Sequence, residues 1–320
     1  MSDRIPQRRV GNEGPMASVV SLGSWHIYDR MEFGESVAMI REAVDRGVNL
    51  FDVGVYGILG VTPPTFTDVL FSAIVRAAGL RREDYLLSEK LWLEGYPEQS
   101  LRAQLDNALF RVGAEHADLV ILGDLRDKQL DPRRLVLDLA ELKGAGLIGA
   151  WGVNNWSAST IQALLDAAAS EGVMGPQIAQ LKYSVSRRSI PDGEPFARLF
   201  AQGLTMQASD VMEGGYLLGK TDSGREPGRD PGGIRQRIID SAADVRRIAD
   251  EFGATPAQLC IAFTLTHPAT TTTLFGASSV AQLRDNLEAV DLVERVGADA
   301  LRARVEHLWA DKGVVDPEGP

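Results

Sequence analysis

The sequence contains a single cysteine, no long apolar run and no excess of basic residues among its 320 positions. One cysteine, Cys260, excludes an internal disulfide framework and fits a reducing cytoplasm. No stretch approaches the roughly 18 consecutive apolar residues of a transmembrane helix, and the opening residues MSDRIPQRRV contain no apolar signal core. We therefore expect a cytoplasmic protein that neither spans a membrane nor carries a standard export signal.

Charge and histidine content narrow the possible partners further. Lys and Arg number 33 against 44 Asp and Glu, for a net charge of −11, and no basic stripe is present. This argues against nucleic acid or an anionic membrane as a partner. The four histidines, the cysteine and the carboxylates show no metal-ligand spacing, so we predict no metal site. Cys260 lies in the apolar segment AQLCIAFTL and is interpreted as a small buried residue rather than a nucleophile.

What the chain does contain is a regular alternation of strand-like runs and amphipathic helical segments. The pattern predicts strands at 19–25, 48–53, 85–88, 118–122, 148–153, 177–181, 204–208 and 271–275. It predicts helices at 35–47, 67–78, 98–112, 132–145, 157–170, 194–202, 233–252, 256–266, 279–289 and 298–311.

Eight strand–helix units predict an α/β fold, a (β/α)8 TIM barrel that forms a single domain over residues 1–320. Within it, 213–233 is a long loop, of a length that is usually functional or disordered, and 298–311 is a C-terminal helix. The chemistry of such barrels lies at the carboxyl ends of the strands. Polar residues after the predicted strands should therefore converge on one face.

Three of these residues can build an acid. Asp52 and Tyr56 lie in FDVGVYG, and Lys90 lies in SEK, each just past a buried run. An ammonium beside a phenol favours release of the phenol proton, and a carboxylate can orient and balance the ammonium. Such a set can protonate a carbonyl oxygen while a hydride arrives at the carbon. The alternatives are a turn-capping Asp52 and a surface Lys90.

A family resemblance rests on seven motifs in register between about residues 8 and 290: RRVGNEGPMASVVSLGSW, FDVGVYG, SEK, GLIGAWGVNNWS, QLKYSVSRR, GGYLLGK and GASSVAQLRDN. The chain resembles the aldo-keto reductases, most closely the branch that includes bacterial and potassium-channel β-subunit-like members. The resemblance implies the (β/α)8 fold, binding of NADP(H) without a Rossmann domain, and reduction of the carbonyl group of a small-molecule substrate. It does not indicate an oligomeric state.

The resemblance also implies roles at the catalytic positions, with two departures. Tyr56 would be the acid, assisted by Lys90 and Asp52, but four steps separate Asp52 from Tyr56 where the family usually has five. Where the family has a histidine after the fourth strand, this chain has Gly123. We expect Gly123 to leave space for a bulkier substrate, a deeper pose or a water. Replacement of this histidine in the family accompanies reduction of carbon–carbon double bonds, so an enone is an open alternative.

The loop after the first predicted strand offers replacements for the missing donor. His26 and Tyr28 lie there, and His26 is our candidate for a direct role. The alternative is a loop residue that contacts solvent or cofactor. His116, His267 and His307 are interpreted as structural.

Cofactor contacts are carried over by resemblance, position by position. The set is Ser24, Trp25, Asn154, Asn155, Gln180, Ser209, Gly214, Gly215, Leu217, Gly276, Ser278, Gln282 and Asn286. Ser209 stands where an aromatic normally stacks on the nicotinamide, and Asp210 where a serine is usual. Basic residues that often hold the 2′-phosphate are absent at Gly276, Ala277 and Gln282. NADP(H) therefore comes from the family, and NAD(H) is not excluded.

One motif points elsewhere, and two other functions remain open. Residues 214–221, GGYLLGKT, match the phosphate-binding P-loop pattern, but that loop needs a helix starting at its lysine and DSGREPG follows instead. We therefore reject a nucleotide triphosphatase.

Two functions other than reduction remain open because of the departures at Gly123, Ser209 and Asp210. The first is a nucleotide-binding sensor or partner subunit, and the second is a lyase or isomerase that reuses the pocket.

Overall fold

The computed structural model describes residues 4–56, 66–125, 130–221, 230 and 232–320. An antiparallel hairpin comes first, and eight parallel strands then close into a barrel in chain order. The hairpin strands are β1 (Gln7–Arg9) and β2 (Met16–Ser18). The barrel strands are β3 (Val20–Gly23), β4 (Leu50–Asp52), β5 (Leu86–Leu91), β6 (Ala117–Leu122), β7 (Ile148–Asn154), β8 (Ile178–Lys182), β9 (Thr205–Ser209) and β10 (Thr270–Phe275). The predicted (β/α)8 barrel is confirmed.

Helices cover the outside of this barrel and bury their apolar faces against its strands. They are α1 (Phe33–Asp45), α2 (Thr67–Ala77), α3 (Leu101–Val112), α4 (Pro132–Gly144), α5 (Ala158–Glu171), α6 (Glu194–Ala201), α7 (Ile234–Asp240), α8 (Ala242–Glu251), α9 (Pro256–Leu265), α10 (Val280–Leu287), α11 (Ala289–Val296) and α12 (Ala298–Arg304). Short 3₁₀ turns occur at Tyr28–Arg30, Arg82–Asp84, Glu213–Leu218 and Glu306–Leu308.

Several helix boundaries differ from the predicted ones. The single helix predicted over 233–252 is wrong, because it breaks at Ser241, whose hydroxyl donates to the carbonyl of Ile238 at 2.7 Å. The helix predicted over 279–289 ends earlier, and α11 follows as a separate helix that the pattern did not predict. Within 298–311 the regular helix is α12, followed by the 3₁₀ turn Glu306–Leu308.

The N-terminal hairpin, which the sequence pattern did not predict, packs against the amino ends of the barrel strands. Arg8 donates to the carbonyl of Thr270 at 2.5 Å, and Thr271 donates to the carbonyl of Arg9 at 3.0 Å. The amide of Ser18 donates to Asn49, just before β4, at 2.7 Å. Because parallel strands place all their carboxyl ends at the opposite edge, this arrangement leaves that edge for a functional site.

None of the helices in the described part of the chain is long and apolar enough to cross a membrane. Among the same residues, no group of His, Cys, Asp and Glu side chains has the clustering that a bound metal ion requires.

Candidate active site

A buried polar cluster lies at the carboxyl ends of the strands. Asp52 ends β4 and Lys90 lies in β5, both at most 8% exposed, with 4.0 Å between Lys90 Nζ and Asp52 Oδ2. Gln180 of β8 bridges them: Lys90 Nζ donates to its Oε1 at 2.7 Å, and its Nε2 donates to Asp52 Oδ2 at 3.2 Å. The barrel therefore holds a desolvated ammonium and a carboxylate in one fixed geometry.

The two charged groups determine how the Gln180 amide points. An ammonium can only donate and a carboxylate can only accept, so Oε1 must face Lys90 and Nε2 must face Asp52. The second amide hydrogen goes to Gln207 Oε1 of β9 at 2.7 Å, and Gln207 in turn donates to Ser21 of β3 at 3.3 Å. Both N–H groups of Gln180 are thus used. Its oxygen keeps one lone pair, so a nicotinamide carboxamide would bind it as a donor.

The Tyr56 ring and the stem of Lys90 both pack against Gly54. A Cβ added at Gly54 would lie 3.2 Å from Tyr56 Cζ, which carries the phenol oxygen, and 3.0 Å from Lys90 Cβ. The ring therefore folds back across a residue without a side chain and approaches the lysine stem.

The space beside Gly123 is filled by Trp92, contrary to the expectation that it is open. A Cβ at Gly123 would lie 2.4 Å from Trp92 Cε3 and 2.8 Å from Cζ3. The indole nitrogen donates to the carbonyl of Val55 at 3.0 Å, and the ring meets Tyr56 edge-on with centroids 6.3 Å apart. Gln104 of α3 holds the Trp92 backbone through two hydrogen bonds of 2.9 Å. An indole thus occupies the place of a side chain at position 123.

Trp25 and His26 lie in the loop after β3. The Trp25 ring contacts His26 at 4.8 Å and Tyr56 at 6.0 Å between centroids, which places this loop beside the proposed acid. His26 has a φ of 55° and pairs with Asp29 at 3.9 Å. Ser24 is buried, and its hydroxyl has no hydrogen-bond partner among the residues that the structure describes. Tyr28 is also buried, packed against Phe71.

The two asparagines after β7 meet Asp124. The Asn154 amide donates to Asp124 Oδ1, and the Asn155 amide reaches the same oxygen at 3.4 Å. Asn155 has a φ of 55°, and its oxygen accepts from the backbone of Lys182 at 3.2 Å. Asp124 therefore orients both amides that the resemblance assigns to the cofactor.

The segment after β9 changes direction sharply before the glycine pair. Ser209 ends the strand, Asp210 has a φ of 52° and its carboxylate lies 3.9 Å from Lys182 Nζ. Glu213 is held by Arg187, with 3.0 Å between Oε2 and Nη2.

Gly214 and Gly215 follow with φ of 68° and 99°. A Cβ at Gly215 would lie 2.5 Å from Lys220 Cδ, and Leu217 is buried beneath the turn. No helix begins at Lys220 or Thr221 themselves, and residues 222–229 of the predicted long loop, like residue 231, lie outside the described residues.

The segment that follows the last barrel strand, β10, leads into α10, which carries the buried side chain of Asn286. Gly276 follows β10 against Ile27, whose Cδ1 would lie 2.5 Å from an added Cβ. Gln282 of α10 accepts from the amide of Ser278 at 2.8 Å. Asn286, one turn further along the same helix face, is fully buried. Neither its Oδ1 nor its Nδ2 has a hydrogen-bond partner within the described ranges. Buried polar groups in folded proteins are almost always hydrogen-bonded, so the state of this amide needs an explanation.

Cys260 and the other three histidines have surroundings of their own. Burial raises the pKa of the Cys260 thiol to about 12, so it stays protonated. Burial lowers the pKa of His267, which packs against Tyr183 and Phe200. His116 precedes β6 near Asp118, and His307 lies 4.0 Å from Asp244. None of these four is among the hydrogen-bond partners of Asp52, Lys90 or Gln180 in the described part of the chain.

The sequence as a whole matches a known protein family. The profile described as "Aldo/keto reductase family" matches residues 19–297, most of the chain. The chain belongs to the aldo/keto reductase family. The matched region includes every residue from β3 to α11, and therefore the full set of positions that resemblance assigned to the site. Membership of this family supports an NADP-dependent oxidoreductase and leaves its substrate open.

Individual aldo/keto reductase relatives fit the predicted branch. Three carry provisional names as voltage-gated potassium channel subunits beta. The Schizosaccharomyces pombe protein is 24% identical, with 93% of this chain and 92% of that protein covered. The Arabidopsis thaliana protein is 23% identical and the Oryza sativa subsp. japonica protein 24%, each with 89% of this chain and 91% of the relative covered.

Solved aldo-keto reductases share the fold of this chain. A Klebsiella pneumoniae aldo-keto reductase in complex with NADPH superposes with a TM-score of 0.75 at 20% identity, over 99% of both chains. A K. pneumoniae aldo/keto reductase with NADP and acetate gives 0.73 at 20% identity, over 96% of both.

Sequence reasoning named the aldo/keto reductase positions but missed their local partners. Trp92, Gln207 and Asp124 each contact a named residue, and Asp124 was noted only as unusual. Gln207 had a detectable signal, since it is a polar residue between the apolar Met206 and Ala208 in the middle of β9. The position of Trp92 over Gly123 had no such signal, because it depends on the packing of two neighbouring strands.

The contact between Trp92 and Gly123 predicts a strong coupling. Gly123→Ala should destabilise the protein by about 1–3 kcal/mol, because its Cβ overlaps the indole. In a Trp92→Ala background the same change should cost much less. Urea unfolding of the four proteins measures this coupling. Gly144→Ala, where no atom lies within 4 Å of an added Cβ, is the matched control. Additive free energies of unfolding would show that the indole does not fill this space.

Proposed function

We propose that this chain is a nicotinamide-dependent oxidoreductase that reduces a carbonyl group, or the double bond of an enone, in a small molecule. The observation that carries the proposal is the buried Asp52–Lys90–Gln180 cluster with Tyr56 folded back over Gly54 beside it. Three strands of the closed barrel hold the buried ammonium and carboxylate, and the Tyr56 ring packs against Gly54, just past the end of one of them. A phenol, an ammonium and a carboxylate arranged in this way can transfer a proton to a substrate.

The side chains divide the proton chemistry as follows. The Tyr56 phenol donates its proton to the substrate oxygen as the carbon gains a hydride, and the phenolate left behind is stabilised by the Lys90 ammonium. Asp52 balances Lys90, and Gln180 holds both in place. Solvent then returns a proton to Tyr56. Position 123 supplies no histidine, so Tyr56 carries proton donation, with Trp25 and Trp92 as its ring neighbours.

The residues present fit a nicotinamide dinucleotide, which when bound supplies the hydride. The buried, unpaired Asn286 amide and Ser24 hydroxyl are groups that a ligand would satisfy. Asn154, Asn155 and the free lone pair of Gln180 would hold the carboxamide end, and the positive-φ turn at Gly214–Gly215 would lie along the diphosphate. The other predicted contacts lie at or after the carboxyl ends of β3, β9 and β10; they are Trp25, Ser209, Leu217, Gly276, Ser278 and Gln282. NADP(H) is the cofactor that family membership favours.

The side chains around Tyr56 suggest a class of substrate. Trp25, Tyr56 and Trp92 form a continuous set of aromatic rings, with centroid distances of 6.0 and 6.3 Å. Asp124 and Asn154 add polar groups at the rim. Flat apolar faces beside hydrogen-bonding groups suit a hydroxylated small molecule such as a sugar or a secondary metabolite.

Fluorescence titration with NADPH tests the cofactor part of the proposal. We expect a Kd of about 10 μM or tighter, in the range of ordinary enzyme ligands. Asn286→Ala should weaken binding about tenfold, because the buried amide then no longer bonds the ligand. Gln162→Ala, on the outer face of α5, should change nothing. Absence of binding by the unchanged chain would contradict the oxidoreductase proposal.

A second candidate is a nucleotide-binding sensor or partner subunit with little turnover. The observations that favour it are Ser209 in place of a stacking aromatic and Trp92 over Gly123, together with relatives named as channel subunits. The two candidates differ in one measurement. A sensor binds the dinucleotide but shows no Tyr56-dependent turnover with a panel of aldehydes, ketones, sugars and enones.

A further inference from the structure

The first turn of α10 is hydrogen-bonded to a carboxylate from another helix, α1. Glu35 of α1 accepts a hydrogen bond from the amide of Val280, the first residue of α10, at 2.9 Å. The first amides of a helix have no intrahelical acceptors, and the helix dipole is positive there, so this position attracts anions. In this chain the carboxylate of Glu35 already occupies that anion-binding position.

The nearby cations are also engaged. Arg284 of α10 donates to both oxygens of Glu42 at 2.8 and 2.9 Å, and Arg46 pairs with Glu288 at 3.3 Å. Hydrogen bonds from Arg284 hold the pKa of Glu42 below its ordinary value, so that pair stays ionised. Among the described residues, Glu35 has no cationic partner within 4.0 Å. Its negative charge at the start of α10 is therefore not balanced by an ion pair.

Independent of these charges, the same helix presents a ligand-binding group. Asn286 is fully buried with both side-chain polar atoms unpaired among the described residues. It follows Gln282 by four positions and so shares its face. An amide in this state matches the adjacent amino group and ring nitrogen of an adenine. The adenosine half of a dinucleotide would then lie beside the turn that Glu35 covers.

On these grounds we propose that Glu35 determines cofactor specificity: it competes with the 2′-phosphate of NADP(H) for the amino end of α10 and lets the chain bind NAD(H) with comparable affinity. The inference depends on the proposed function. A ribose 2′-hydroxyl can donate to a carboxylate, whereas a 2′-phosphate is repelled by it. Dinucleotide sites elsewhere use the same distinction, with an acidic residue for the hydroxyl and an arginine for the phosphate.

Binding of NADPH and NADH, each followed by its own fluorescence, tests the assignment without measuring turnover. In the unchanged chain we expect the two Kd values to agree within about tenfold. Glu35→Gln keeps an acceptor for Val280 and removes only the charge. It should tighten NADPH about tenfold and leave NADH within about twofold. Displacement of NADPH by 2′,5′-ADP should strengthen in parallel, and displacement by ADP should not.

Two further variants sharpen the test. Glu42→Gln releases Arg284 and should also favour NADPH. Glu141→Gln removes an exposed carboxylate from α4, away from α10, and should leave both Kd values unchanged. A preference for NADPH above about 100-fold in the unchanged chain, or equal Kd ratios with and without the Glu35 charge, would overturn the inference while the proposed function stands. If neither dinucleotide binds, the proposed function fails and this inference fails with it.

Discussion

Replacing Tyr56 by phenylalanine is expected to lower kcat by about 10²–10⁴-fold, the usual contribution of a positioned general acid. The phenylalanine ring keeps the packing against Gly54, Trp25 and Trp92 and loses only the hydroxyl. The Kd for NADPH should therefore stay within about twofold. Turnover of a carbonyl panel, with the Kd measured separately, distinguishes loss of the acid from loss of the cofactor.

Tyr85→Phe is the matched control for this change. Tyr85 lies just before β5, at the opposite end of the strand that carries Lys90, where its ring packs against Phe51 and Phe71. Loss of its hydroxyl should leave kcat unchanged. Undiminished turnover in Tyr56→Phe would show that the acid is another group, with His26 as the next candidate.

Replacing Glu89 by glutamine is expected to stabilise the protein at neutral and alkaline pH. Glu89 precedes Lys90 in β5 and so points to the other side of the strand, away from the cluster. It is fully buried, and neither carboxylate oxygen has a hydrogen-bond partner among the described residues. Burial raises the pKa of Glu89 well above its usual value, and the negative charges of Asp68 and Asp52 raise it further.

The sign of the effect follows from proton binding. Between the unfolded pKa, about 4.3, and the raised folded pKa, the folded state binds more protons than the unfolded state, so the free energy of unfolding falls as pH rises. The loss reaches at most about 1.4 kcal/mol per pH unit. A glutamine side chain cannot ionise, so this contribution disappears in Glu89→Gln. The variant should match the unchanged protein near pH 5 and gain on it toward pH 8.

Urea unfolding at several pH values measures this difference. Glu115→Gln, which removes an exposed carboxylate, should give a curve parallel to that of the unchanged protein. A constant difference between Glu89→Gln and the unchanged protein at all pH values would mean that Glu89 is not protonated in the fold. Asp68, which Arg111 contacts at 2.5 and 2.8 Å, should keep this ion pair in both proteins.

The barrel itself was predictable because parallel strands covered by helices must alternate in sequence with amphipathic segments. Eight such units recur along the chain, and each predicted strand overlaps an observed one. The hairpin of β1 and β2 was not predictable in this way, because three-residue strands are too short to show a period. The break at Ser241 and the separate α11 depend on single residues at helix ends, which periodicity does not resolve.

The sequence alone determined the (β/α)8 fold, the family and the edge of the barrel where Asp52, Tyr56 and Lys90 would meet, because strand direction and motif order are properties of the chain. Only the tertiary structure decided what surrounds them. Trp92 closes the space at Gly123, Gln180 joins Lys90 to Asp52, and Glu35 covers the start of α10. Each of these contacts joins residues from different elements of the barrel, and such distances are set by how strands and helices pack rather than by spacing along the sequence.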